Sequence, residues 1–175
     1  METIEHPFAG EALTYAFTPT VLGLAVAART EKGVAAVLIG NNKNALLADL
    51  RLALDDAVLR EDEPAMADVL NKVTGMIASP ERGASFPLDL RGSALELAVW
   101  DALRKLRPGQ TIGYGQLAKS LDLPATPQEV GAACAANRVA VAVPCHRVVK
   151  ADGSISGYRW GVHRKRKLIS LEAAA

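Results

Sequence analysis

Cysteine is scarce in this chain. There are two among 175 residues, Cys134 and Cys145. Two are too few for a disulfide framework or a cysteine zinc site. Long apolar runs are missing as well. Half of the residues are apolar, enough for a packed core. Yet no run approaches the roughly 20 apolar residues of a membrane-spanning helix, so no membrane association through such a helix is expected. The N-terminus lacks the pattern of a secretory signal. No internal repeat or low-complexity tract is visible apart from a short alanine-rich tail.

Net charge is also nearly absent, at +1, but its distribution is uneven. Residues 1–90 hold 7 Lys/Arg and 13 Asp/Glu, a balance of −6. Residues 91–175 hold 13 and 6, a balance of +7. A basic half joined to an acidic half suggests that only the second half meets a polyanion. Solvated faces are the plain alternative. The run His163-Arg164-Lys165-Arg166-Lys167 falls in a predicted helix and could equally be its exposed flank.

The length suits one large domain or two small lobes, and punctuation suggests the latter. The expected fold class is α/β, with a scaffold lobe over residues 1–85 and a mainly helical lobe over 86–175. Leu13–Phe17, Val21–Ala28 and Val34–Ile39 read as short strands. Thr18-Pro19-Thr20 and Thr30–Gly33 would be their turns, giving an antiparallel meander. Asn44–Leu59 and Pro64–Ile77 have helical spacing. Leu46, Leu50, Ala53 and Leu54 would line one stripe; Met66, Val69, Leu70, Val73 and Ile77 would line the other. His6 has no partner that can be named. Ser79–Phe86 reads as a linker, and Pro87–Leu90 as a short extended piece.

In the second lobe, Ser93-Ala94-Leu95-Glu96 is a capping-box pattern. It opens a helix to about Leu106, with Leu97, Trp100 and Leu103 on its apolar face. Gly115–Leu121 is a short helix. Thr126-Pro127-Gln128-Glu129 is a second capping box, with proline at the first helical position. It opens a helix from Pro127 to about Ala136. Two short helices with a tight turn between them make a helix-turn-helix, or an ordinary helical corner. The second helix is thin, because Gly131 to Ala136 carries no bulky side chain.

The most informative segment is Val143-Pro144-Cys145-His146-Arg147-Val148. Apolar runs on both sides, Val139–Val143 and Val148–Val149, would hold its turn rigidly. A thiol must ionise to attack carbon, and a neighbouring base or cation is the usual means. A Cys-His pair alone is more often a buried cysteine beside a surface histidine. Here the flanking residues include Asn137 upstream and Gly153-Ser154-Ile155-Ser156-Gly157-Tyr158-Arg159-Trp160-Gly161 downstream.

This string resembles the DNA-alkyl-cysteine transferases that repair O6-alkylguanine, and most of all the C-terminal half of Ada-type proteins. The resemblance is dense from Phe86 to Glu172 and continues back to about Leu13. It implies a single-turnover transfer of the alkyl group to Cys145, with O4-alkylthymine as a further substrate. His146 would draw the thiol proton through a water, and Glu172 would orient its imidazole. Tyr114 would help eject the base and protonate guanine N3. Asn137 would be the hinge between recognition helix and active-site loop. Val148, Tyr158, Arg159 and Trp160 would bind the flipped base, with the indole narrowing the entrance. The helix from Pro127 would enter the minor groove of double-stranded DNA. Thr126, Gln128, Ala133 and Arg138 would contact DNA.

No metal, nucleotide or organic cofactor is implied. A monomer in the reducing cytoplasm fits a protein whose reactive group is a free thiol. Two departures from the family stand out. Gln128 replaces the usual arginine that fills the gap left by the flipped base, and Glu129 follows it. The zinc domain and regulatory segment of full Ada-type proteins are not expected at this length and cysteine count. The rivals are a lesion-binding minor-groove module without transfer activity, and a Cys-His hydrolase. Relatives that only bind lesions replace the cysteine, which this chain keeps.

Overall fold

The structure, a computed structural model, describes residues 6–175. Residues 1–5, at the head of the expected first lobe, lie outside that range. The chain folds as a mixed α/β protein with a four-stranded sheet followed by a mainly helical part. Strands β1 (Ala12–Thr20), β2 (Gly23–Arg29) and β3 (Val34–Gly40) form the expected antiparallel meander.

Two boundaries and one helix face differ from expectation. Thr18-Pro19-Thr20 belongs to β1, and the turn comes at Val21-Leu22. Proline is tolerated there because β1 is paired on one side only. Its other neighbour, β4 (Val58–Glu61), reaches only Ala12–Tyr15. Secondly, helix α1 (Lys43–Ala53) stops well before Leu59, and β4 then runs parallel to β1. Thirdly, helix α3 (Ala94–Arg104) buries Leu95, Val99, Trp100 and Leu103, while Leu97 is 39% exposed. Both expected capping boxes are present.

Helix α2 (Glu63–Ala78) lays Met66, Val69, Leu70, Val73 and Ile77 against the sheet. Asp62 caps it by accepting the Ala65 N–H at 3.1 Å. The second part contains β5 (Ile112–Gly113), α4 (Tyr114–Ser120), α5 (Pro127–Ala135), β6 (Val148–Val149) and α6 (Val162–Ala173). Helices α3, α4 and α5 pack together, and β5 pairs in parallel with β6.

The free edge of β3 joins the two parts. Val34 donates to Pro87 O and accepts from Asp89 N, both at 2.9 Å. Val37 likewise donates to Arg138 O and accepts from Ala140 N, both at 2.9 Å. The segment leading to Cys145 therefore hangs on a sheet edge. Gly33 permits this approach, since a Cβ there would lie 2.6 Å from Pro87 O. One apolar cluster runs through both parts, from Phe8 and Leu13 to Val143, Cys145 and Leu168. Among the described residues, no helix is long and apolar enough to cross a membrane.

Candidate active site

Cys145 opens a single 3-10 turn, Cys145–Arg147, directly before β6. The approach to it is tightly wound. Cys145 N–H donates to Val143 O at 2.8 Å, and Val141 has a φ of 69°. A buried β-branched residue in the left-handed region is strained by roughly 1–3 kcal/mol, which the surrounding packing must offset.

Asn137, just beyond α5, holds this loop. Its amide Nδ2 donates to Val143 O at 3.0 Å and to Cys145 Sγ at 3.3 Å. Its Oδ1 accepts from Val139 N at 2.9 Å. All three partners lie on the loop, so the asparagine ties the helix end to the thiol.

His146 is fully buried. Its Nε2–H donates to Glu172 Oε1 at 2.8 Å across to α6. Arg147 approaches the same carboxylate, with Nη2 2.8 Å from Oε1 and Nε 3.0 Å from Oε2. Burial alone would raise the Glu172 carboxyl. The hydrogen bonds from His146 and Arg147 outweigh it and hold the group at about 2. An ionised Glu172 accepts the Nε2 proton, which leaves Nδ1 as the imidazole's bare base. That Nδ1 is buried and has no hydrogen-bond partner among the described residues.

Burial pushes the His146 imidazole down, which favours its neutral form. Burial also pushes the Cys145 thiol up, and the Asn137 amide and Lys165 ammonium only moderate this. Both shifts favour an uncharged thiol beside an uncharged imidazole over an ion pair.

Cys145 lies in a pocket of ≈ 310 Å³ lined by Tyr114, Gly131, Cys134, Ala135, Gly157, Tyr158 and Arg159. Helices α4 and α5 form one wall and the loop before α6 the other. Tyr114 Oη is 2.6 Å from Ser156 Oγ. Arg159 donates through Nη1 to Asn137 O at 2.6 Å, which pins the loop before α6 to the end of α5. The carbonyl of Cys145 accepts the Val148 N–H, and the carbonyl of Val148 accepts Ser156 Oγ at 3.4 Å. Each oxygen keeps a second lone pair for a ligand. A larger cleft of ≈ 620 Å³ lies between Thr14, Arg29, Lys72 and Phe86, with no cysteine or histidine in its lining.

Cys145, His146, Glu172, Asn137, Tyr114, Tyr158 and Arg159 thus come together. Three expected site residues do not take the places assigned to them. Trp160 is buried behind Tyr158, edge-on at 5.2 Å between centroids, and does not line the pocket. It supports the wall instead of narrowing the entrance. Ala133 faces inward, and its carbonyl accepts from Trp100 Nε1 at 2.9 Å. The outer face of α5 is Gln128, Glu129, Ala132 and Ala135. Arg138 donates to Ala53 O at 2.9 Å and to Arg91 O at 3.0 Å. Its guanidinium is committed to carbonyls inside the molecule.

The basic run is only partly a solvated flank. His163, Arg166 and Lys167 are exposed, but Arg164 and Lys165 are buried. His6 proves to have partners, lying 3.2 Å from Asp55 and 3.8 Å from Asp56 on the surface. Arg147, Ser156, Lys165 and Cys134 are the site residues that sequence reasoning missed. Lys165, Leu168 and Glu172 share one helical stripe, a spacing that marks Lys165 as inward-facing.

Known proteins resemble this chain in sequence and in fold. The family described as 6-O-methylguanine DNA methyltransferase, DNA binding domain, matches residues 94–174. The bifunctional transcriptional activator/DNA repair enzyme Ada of Escherichia coli is 39% identical over 165 residues, covering 93% of this chain and 46% of that protein. A methylated-DNA–protein-cysteine methyltransferase of Mycolicibacterium paratuberculosis is 37% identical over 112 residues, covering 64% of this chain and 68% of that protein. The crystal structure of Mycobacterium tuberculosis OGT in complex with DNA superposes with a TM-score of 0.77 at 26% identity, covering 92% of this chain and 93% of the other. The chain belongs to the methylated-DNA–protein-cysteine methyltransferase family. It spans about half the length of the Ada proteins that it matches.

Proposed function

We propose that this protein repairs DNA by moving the alkyl group of O6-alkylguanine irreversibly onto Cys145. The observation that carries this reading is the thiol at the base of an aromatic-walled pocket, with the buried His146–Glu172 pair at its back. O4-alkylthymine presents the same alkyl–oxygen chemistry and is included. The carbon to be attacked is unreachable inside a duplex, so the damaged nucleotide is flipped into the pocket.

The outer face of α5 approaches the minor groove. Its small Ala132 and Ala135 suit a narrow groove, and Gln128 fills the gap left by the flipped base. Glu129 is occupied by the helix cap, accepting the Thr126 N–H at 3.0 Å. Residues 1–85 act as scaffold, and residues 86–175 carry DNA binding and chemistry.

His146 takes the thiol proton through a water, and Glu172 stabilises the imidazolium that results. The thiolate attacks the alkyl carbon in line. A sulfur–carbon bond forms as the carbon–O6 bond breaks, and the electron pair leaves with guanine. A proton delivered through Tyr114 to N3 neutralises that anion. Backbone groups of Cys145, Val148 and Arg159 hold the base, and Tyr158 stacks beside it. The product is a thioether, which water does not readily cleave, so each molecule reacts once. The protein works as a monomer in a reducing compartment, the cytoplasm, where both of its thiols stay free.

Intact-mass measurement with an O6-methylguanine duplex tests the reading. Cys145 should gain one methyl, about 14 Da, per protein molecule, and Cys145→Ser should gain none. Binding without mass gain would make this a lesion-binding module. Methyl on Cys134 would move the acceptor, and repeated turnover would exclude the single-use mechanism.

A further inference from the structure

The buried ammonium of Lys165 is not used by the chemistry described so far. Its residue is 1% exposed, and among the described residues no carboxylate pairs with it. An unpaired cation inside a protein costs several kcal/mol unless its protons are well placed. Those of Lys165 go to Ser156 Oγ at 2.8 Å and Gly157 O at 3.2 Å. Ser156 Oγ in turn lies 2.6 Å from Tyr114 Oη, on the opposite wall of the pocket. Three hydrogen-bonding groups from α6, the loop before it and α4 therefore form one chain that ends at the pocket.

We propose that Ser156 couples Lys165 to Tyr114, so that the proton leaving Tyr114 for the departing guanine is replaced from Lys165. This inference rests on the alkyl-transfer reading and deepens it. Ser156 and Lys165 are positioning residues that act through Tyr114. As the carbon–O6 bond breaks, N3 takes the Tyr114 proton, the Tyr114 oxygen takes that of Ser156, and the Ser156 oxygen takes one from Lys165. Lys165 ends as a neutral amine, Tyr114 as a neutral phenol and guanine as a neutral base. The thiol proton resides on His146, so total charge is conserved.

The alternative, a lone Tyr114 donor, would leave a phenolate in a pocket whose burial already pushes the phenol up. Burial pushes Lys165 the other way, toward giving up a proton. The Ser156 hydroxyl has a second acceptor in Val148 O at 3.4 Å, so it can rest there and turn to Tyr114 during transfer. The titratable groups facing Lys165 are Cys145 and His146 on the active-site turn, Cys134 on α5 and, through Ser156, Tyr114 on α4.

Ser156→Ala breaks the link while leaving the Lys165 charge beside the thiol. Two rates are measured on the full chain: transfer from an O6-methylguanine duplex, and alkylation of Cys145 by iodoacetamide. The second needs a thiolate but no proton for a leaving base. Transfer should fall about 10- to 100-fold, as for a weakened general acid, with the iodoacetamide rate unchanged. The parent's transfer rate should decline at alkaline pH as Lys165 loses its proton, and the residual rate of Ser156→Ala should lack that decline. Unchanged transfer, or an equal fall in both rates, overturns the relay. If the parent itself places no methyl on Cys145, the alkyl-transfer reading fails and takes the relay with it.

Discussion

Glu172 concentrates the chemistry of this site in one carboxylate. It accepts from His146 and Arg147 at once, and so fixes the imidazole tautomer. Glu172→Gln should slow alkyl transfer about 10- to 1000-fold, in the range of a misoriented general base. DNA affinity should be nearly unchanged, which fluorescence anisotropy beside single-turnover rates would show. A parent-like rate would remove Glu172 from the mechanism.

The same residue sets an acid limit on the fold. Its folded value of about 2 lies below the ordinary 4.5. Its stabilisation is therefore full above the ordinary value and is lost as pH falls toward the folded one. His146, pushed down by burial, also favours unfolding when its unfolded form takes up a proton. Chemical denaturation across pH should show stability falling on the acid side. Glu172→Gln should be less stable at neutral pH and have a shallower acid slope. Parallel curves for both proteins would mean that the carboxylate is not held low.

At the scale of elements, α5 is the helix proposed to meet DNA. It begins with a complete capping box and carries only small residues beyond Val130. Gln128 is exposed on its first turn and brings no charge. Gln128→Arg should tighten duplex binding and steepen its salt dependence by about one counterion. It should speed repair of duplex lesions more than reaction with the free base, which needs no flipping. Weaker binding, or equal gains on both substrates, would place position 128 away from the gap.

Where the elements departed from their sequence patterns, a partner strand was the cause. The helical spacing of Asn44–Leu59 breaks at Asp55-Asp56, with Asp56 at a φ of 62°. Gly10 N–H donates to Asp56 O and Val58 N–H to Glu11 O, both at 2.8 Å, and draw the chain into β4. That parallel pairing joins residues far apart in sequence, which local periodicity does not register.

For the whole molecule, Arg138 joins the sheet lobe to the reactive loop. It binds Ala53 O and Arg91 O, while Arg91 itself pairs with Glu11 and Asp89 and lies over Phe8 at 4.5 Å. Arg138→Ala leaves those carbonyls without their charged donor and should cost about 2–4 kcal/mol. Denaturant midpoints would report this. The salt slope of DNA binding should stay at the parent value, because the guanidinium is not offered to phosphate. A flatter slope at parent stability would return Arg138 to the DNA surface.

The sequence by itself marked the Cys145-His146 turn and both capping boxes, local patterns that fold as written, whereas Asn137 and Glu172 were singled out only by the family resemblance. Tertiary structure alone decided which side chains face the pocket. Trp160, Ala133 and Arg138 turned inward, while Ser156 and Lys165 met Tyr114 from separate elements. Motif spacing records neighbours along the chain. The direction of a side chain on a loop, or of a cation on a helix packed against that loop, follows from which surfaces exclude water together, and that is settled only when the elements pack.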